Sequence, residues 1–207
     1  MKKAWAILFI LLISSCAGLL LKGKVMESRY YSPMNDFSIA LPRLMEMKIE
    51  DQVDPYGGSV AFLEPTGRFW VVDYMKLPPN FASKHSSQEK RDEAYRMYVI
   101  DMALQNALKY SSQSSIVKEA FIDVKGSRGY FAIINIPEGS RLTDAVTKKR
   151  LDSVRGHLVF EKNGFMYMPG CEMNYAGERI NAFSLTDKQV EKTKETLGQI
   201  KESMIFR

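Results

Sequence analysis

The chain is poor in the residues that most often carry chemistry, with two histidines and two cysteines among 207 positions. It has no His-x-x-x-His or Cys-x-x-Cys pair. A zinc site needs three or four converging nitrogen, sulfur or carboxylate ligands, so neither His85 nor His157 belongs to a local metal motif. Gly-x-Ser-x-Gly nucleophile elbows and phosphate-cradling glycine loops are absent too. No stretch is rich enough in proline, glycine or serine to act as a long linker, and there is no internal repeat. Net charge is small: the formal +5 falls to +3 if Lys2 and Lys3 are lost, too little to point to nucleic acid. These absences exclude the reactions that have local signatures. They do not exclude an enzyme whose carboxylates meet from distant segments.

Long apolar runs are equally scarce, and the longest stands at the start. Lys2-Lys3, the apolar stretch Ala4 to Ile13 and then Ile13-Ser14-Ser15-Cys16 have the charged, apolar and small-residue regions of a secretory signal. The cysteine directly after the small pair resembles a bacterial lipobox, which makes residues 1–15 a signal peptide and Cys16 a lipidated N-terminus. The alternative is a retained membrane anchor, since Ala4 to Leu21 is 18 residues interrupted only by Ser, Cys and Gly and a spanning helix needs roughly 17 to 25. Lys22 and Lys24 balance Lys2 and Lys3, so flanking charge does not orient such a helix. On either reading the domain is tethered to a membrane. Ala17, where an inner-membrane retention signal would carry Asp, favours the periplasmic face of an outer membrane in a two-membraned bacterium.

Removing 15 residues leaves 192, a length that fits one domain over residues 33–207 after a tether at 16–32. Hydrophobic content of 45% supports an ordinary core. Phe37, Ile39 and Leu41 alternate with polar or small residues before Pro42 and read as a strand. Ser59–Glu64 and Arg68–Leu77 follow as a hairpin around Pro65-Thr66-Gly67. A helix is expected from about Gln88 to Ser111, with Ser86 and Glu89 at capping-box spacing and a stripe of Ala94, Met97, Ile100, Leu104, Ala107 and Leu108. Ile116–Val124 and Gly129–Ile136 read as strands, and Leu151–Lys162 and Phe165–Tyr175 as a hairpin through Asn163-Gly164, the strongest short hairpin signal. A last helix is predicted from about Asp187 to Phe206, capped by Thr186 with Gln189.

The fold class that results is α+β: a largely antiparallel sheet of about seven strands, with one inserted helix and one C-terminal helix packed on it. This order of elements, the opening Asn35-Asp36-Phe37-Ser38-Ile39-Ala40-Leu41-Pro42 and the ending Ile200 to Arg207 resemble the photosystem extrinsic-protein (PsbP-like) fold superfamily over about residues 30–207. That resemblance implies a family of bacterial lipoproteins and partner-binding accessory proteins. It implies no enzyme activity and carries no site residue.

With Cys16 committed to lipid, Cys171 is alone. If Asn163 and Gly164 are the two turn residues, His157 opposes Gly170 and Cys171 opposes Gly156, so the thiol and the imidazole point to opposite faces. Cys171 then shares the core face with Leu158, Phe160, Phe165 and Tyr167, whereas Arg155 falls opposite Glu172 on the other side. Pro169-Gly170 is the one place where a bulge would shift this register. Met166, Met168, Cys171 and Met173 are soft donors suited to copper(I), but the same alternation splits Met166 and Met168 from Met173. His85 lies in a polar loop whose default is solvation. Phe69, Trp70 and Tyr74 are expected to pack in or on the sheet.

The remaining candidate is a basic loop. Arg141, Lys148, Lys149, Arg150 and Arg155 stand against Asp144 and Asp152, an excess of three positive charges. The loop is expected either to be a solvated connection or to meet anionic lipid or an acidic envelope protein. The expected function is thus a membrane-anchored envelope lipoprotein in a non-catalytic partner- or ligand-binding role, with no cofactor and no nucleic acid. An enzyme with a scattered site and a structural or assembly factor of the envelope are the alternatives.

Overall fold

The computed structural model describes residues 21–41, 48–64, 69–124, 126–140, 143–144, 146–173 and 181–207. The signal segment with Cys16, the Pro65-Thr66-Gly67 turn and Arg141 lie outside the described residues. Eleven strands are present among those described: β1 (Lys24–Met26), β2 (Arg29–Tyr31), β3 (Phe37–Ala40), β4 (Lys48–Asp54), β5 (Gly57–Leu63), β6 (Phe69–Lys76), β7 (Ser115–Val124), β8 (Ser127–Ile136), β9 (Ser153–Lys162), β10 (Phe165–Glu172) and β11 (Met204–Phe206). Between β6 and β7 run a short helix α1 (Phe81–Lys84), then α2 (Gln88–Tyr98), a π-helical stretch Val99–Leu104 and α3 (Gln105–Tyr110). Helix α4 (Asp187–Ser203) precedes β11. One sheet has seven strands in the order β4-β5-β6-β10-β9-β8-β7, every pair antiparallel, and a second has four in the order β1-β2-β3-β11. The molecule is an α+β fold with a helix in the middle of the chain and another near its end.

The seven strands are not the seven expected. Phe37–Ala40 joins the small sheet, and Lys48–Asp54 takes its place at the edge of the large one. Strand β4 reads as polar because only Ile49 and Val53 are apolar, and charged edge strands are how sheets discourage stray pairing. Its inward Asp51 is buried and accepts from Lys22 Nζ at 2.8 Å, from Gly23 N at 2.6 Å and from the Tyr30 hydroxyl at 3.2 Å. Burial pushes this carboxyl up, but those hydrogen bonds and the Lys22 charge outweigh it and hold it below the usual range. Leu21 N also donates to Val53 O at 3.2 Å. The described chain is therefore part of the fold from Leu21 onward, and residues 24–31, expected to lie outside the domain, form β1 and β2.

Alternation along the large sheet makes two cores. One face carries Phe62, Trp70, Tyr74, Leu158, Phe160 and Tyr167 beneath the small sheet and α4, whose Tyr30, Phe37, Ile39, Val190 and Leu197 are buried against it. The other carries Tyr130, Ala132, Ile134, Val159, Met166 and Met168 beneath Tyr95, Tyr98, Val99 and Ala107 of the mid-chain helix. The capping box of α4 forms as read, Thr186 accepting from Gln189 N and Gln189 from Thr186 N. The helix stops at Ser203 instead of Phe206, because Met204 turns to extended backbone and pairs with Ile39.

The mid-chain helix corrects two expectations. Its cap is Ser87, which accepts from Lys90 N, and not Ser86. Its buried side is Tyr95, Tyr98, Val99 and Ala107, with Leu104 half-buried and Met97 45% exposed. The π-helical stretch adds a residue to one turn and rotates the face away from the stripe that a 3.6-residue period predicts. In the β9–β10 hairpin, Asn163 and Gly164 have φ of +49° and +77°, as a type I′ turn requires. Lys162 opposes Phe165, His157 opposes Gly170 and Cys171 opposes Gly156. Pairing with β9 lapses at Met168 and Pro169, which lacks an N–H, and resumes in the same register. Cys171 accordingly faces the core, 7% exposed.

Candidate functional site

The basic loop between β8 and β9 folds back on itself. Thr143 bridges to Arg150, Asp144 N donates to Lys149 O at 2.8 Å, and the Asp144 carboxylate accepts from Val146 N at 2.9 Å and Thr147 N at 2.7 Å. This Asx-type turn leaves Lys148 in the left-handed region with φ of +58°. Lys148, Lys149 and Arg150 are exposed around Val146, itself 87% exposed. Arg155 does not share that tip. It is half-buried on β9, donating from Nε to Ser153 Oγ at 2.9 Å, 4.0 Å from Glu172 Oε2 and 5.4 Å from the centre of the Phe69 ring. Phe69 is thus partly a platform for a cation, whereas Trp70 stacks on Phe62 at 3.9 Å inside the core.

The tip lies at the far end of the sheet from Leu21. Val53, which Leu21 meets, is in register with Gly58, Tyr74, Tyr167 and Phe160 across successive strands. Phe160 is seven residues along β9 from Ser153, where the loop ends. At about 3.3 Å per residue and about 4.8 Å per strand, the tip is offset by about 23 Å along the strands and about 19 Å across them.

A row of polar groups crosses the helix-side face beneath α2. His157 is 5% exposed, and the ring has room because its cross-strand neighbour is Gly170, where a Cβ would come 2.8 Å from Nδ1. Burial, reinforced by the Arg155 charge, lowers its pKa to about 3, so the imidazole is neutral. Asp73 on β6 is raised to about 6 by burial, which wins over its hydrogen bond from Ser59 and the attraction of Arg155. Tyr98 reaches down from the helix with its hydroxyl buried and unpartnered; burial, with the Asp73 charge, raises its pKa. The Nδ1 of His157 is also without a partner. Sequence reasoning missed Asp73, whose only signal is a carboxylate in the middle of the otherwise apolar Trp70–Met75 run.

Next to this row is a cleft of about 370 Å³ between α1, α2 and the ends of β6 and β10. Its floor is Met75, Leu77 and Met166, its walls include Phe81, Met97 and Tyr98, and Lys90, Glu93 and Asp101 bring charge to it. His85 lines it as well. It is half-buried, stacked on Phe81 with centroids 4.2 Å apart, its Nδ1 3.0 Å from Phe81 O, and so is not the solvated loop residue expected.

No family model and no curated protein matches the chain. Among solved structures it is similar to cyanobacterial PsbP (CyanoP) from Synechocystis sp. PCC 6803, with 12% identity, a TM-score of 0.49, and coverage of 91% of this chain and 99% of that one. A Bacteroides thetaiotaomicron VPI-5482 structure has 10% identity and a TM-score of 0.42, over 88% of this chain and 49% of that one. A Pseudomonas aeruginosa protein of unknown function has 10% identity and a TM-score of 0.36, over 91% and 98%. At these identities no residue is carried across. Among the described residues no helix is long and apolar enough to cross a membrane, and no group of three or more His, Cys, Asp or Glu converges on a metal position.

Proposed function

We propose that the protein is a bacterial envelope lipoprotein, anchored through Cys16, whose domain serves a non-catalytic accessory role by binding an acidic partner at the tip carrying Lys148, Lys149 and Arg150. The observation that carries this reading is the placement of the tip at the end of the sheet opposite to Leu21. Few residues separate Cys16 from Leu21, so at about 3.5 Å per residue the tether spans under about 20 Å. The domain edge at β4 then stays near the anchoring leaflet and the basic tip is held away from it. An acidic envelope protein suits that placement better than the headgroups of the same leaflet, and Ala17 favours the outer membrane.

Fatty-acid labelling of wild type and Cys16→Ser tests the anchor: label and processing are expected in the first, and the second should be unlabelled and left as an unprocessed precursor. Unchanged labelling of the variant would sink it. Replacing Lys148, Lys149 and Arg150 with Gln should abolish salt-sensitive retention on polyglutamate, because exposed charge attraction is screened by salt. Equal retention of the variant rejects the tip as the surface, and equal binding of both proteins to phosphatidylglycerol vesicles rejects it for lipid also.

A second reading, an enzyme with a scattered site, draws on Asp73 held near 6 beside the unpartnered Tyr98 hydroxyl and the neutral His157. It would require that Asp73→Asn abolish a measurable turnover while the fold stays intact.

A further inference from the structure

We infer that the cleft between the mid-chain helix and β6 is a site for a soft monovalent metal ion, copper(I) in its biological form, held by the thioethers of Met75, Met97 and Met166 and the imidazole of His85. The inference is independent of the anchor and of the basic tip. Of the clustered Met166, Met168 and Met173, the last lies on the opposite face of the sheet, whereas the fold gathers Met75, Met97 and Met166 into one cleft. Met166 and Met75 are direct partners across the β10–β6 ladder and share the helix-side face, so their side chains start about 5 Å apart. Met97 lines the same cleft from α2, and with 45% exposure there and 39% at Met75 neither side chain is enclosed in the core as a filler would be. Each of these side chains has three rotatable bonds and a polarisable sulfur, and thioethers select copper(I) over the hard divalent ions.

His85 supplies the second argument. A metal-binding imidazole commonly gives its other ring N–H to a backbone carbonyl, which fixes tautomer and orientation. Here Nδ1 sits 3.0 Å from Phe81 O and the ring is stacked on Phe81. With Nδ1 as donor, Nε2 keeps its lone pair for the cleft. Glu93 and Asp101 against Lys90 give the lining a net negative charge, which favours a cation, and no thiol lines the cleft.

Silver(I), an air-stable copper(I) analogue, serves as the probe, titrated in chloride-free buffer against the full chain carrying Cys16→Ser and Cys171→Ala so that no thiol competes. One ion per chain is expected, with shifts of the Met75, Met97 and Met166 methyl resonances. Met97→Leu, at an exposed position, and His85→Gln, at a half-buried one, should each weaken binding by more than about tenfold, while Met26→Leu, an exposed methionine elsewhere, leaves it unchanged. Absence of stoichiometric binding overturns the inference, as does binding indifferent to Met97 and His85. If silver fails but an apolar fluorophore is displaced by Met97→Trp, the cleft takes a small organic molecule and the metal assignment is wrong.

Discussion

Acid should act on Asp73 and His157 in opposite directions, and two substitutions separate them. The His157 imidazole has a folded pKa of about 3 against 6.5, so above 6.5 it is neutral in both folded and unfolded chains. As pH falls below 6.5 the unfolded chain takes up a proton that the folded one refuses. Stability from this group then drops by about 1.4 kcal/mol per pH unit, about 3 kcal/mol by pH 4. Asp73 behaves oppositely because its folded pKa is about 6 against 3.8. Between those values the folded chain holds a proton that the unfolded one lacks, so acidification from 6 to 4 relieves a buried charge and returns about 2 kcal/mol. In the wild type the two largely cancel. Asp73→Asn should therefore be more stable than wild type at pH 7 and lose most of that advantage, about 2 kcal/mol, on going to pH 4. His157→Gln should gain on wild type by about 3 kcal/mol over the same interval. Urea midpoints and slopes at pH 7, 6, 5 and 4 measure both differences, and carboxylates common to all three proteins, such as Asp92 and Glu119, drop out. A flat difference between Asp73→Asn and wild type would refute the claim that Asp73 is buried as a charge at neutral pH.

Gly156→Ala should cost about 1 to 3 kcal/mol by overpacking, since its Cβ would lie 2.3 Å from the Thr193 methyl of α4; adding Thr193→Ala, which removes that methyl, should restore most of the loss in the same urea assay. Val99→Ala, fully buried on the sheet-facing side of the mid-chain helix, should cost about 2 kcal/mol, whereas Met97→Ala should cost little, and equal midpoints would mean that the π-helical stretch does not set the buried face. Cys171, 7% exposed on the core face, should react with a thiol reagent far more slowly in native protein than in denaturant, and fast native labelling would show the sulfur turned outward.

Local rules were the legible part of this chain. The Asn163-Gly164 turn fixes its own hairpin, and through the period-2 alternation it places His157, Cys171, Arg155 and Glu172 on their faces. Thr186 and Gln189 mark their helix start just as directly. What stayed hidden depends on partners far away in the chain. Strand β4 has too few apolar residues to announce itself, and it is a strand because β5 pairs with it and Lys22 and Tyr30 satisfy Asp51. Arg155 looked like part of a charge run until Phe69 and Glu172 drew it onto the sheet. The cleft is beyond local reading altogether, because Met75 and Met166 meet only through the β6–β10 pairing, which no turn connects.

That small sheet also dictates an order of events during synthesis. Strand β3 is flanked by β2 on one side and by β11 on the other, and Arg29 binds Ser203 O across 174 positions. Tyr30, Phe37 and Ile39, all essentially inaccessible in the finished fold, emerge early, and while the large sheet covers their side chains, one edge of β3 stays unpaired until residues 204–206 arrive. A nascent chain must carry that backbone edge unpaired for almost its entire length, with the slow, long-range closure typical of such pairing. The interval between the first strand and its late partner is the window in which a holdase would matter most, and in which misassociation would begin.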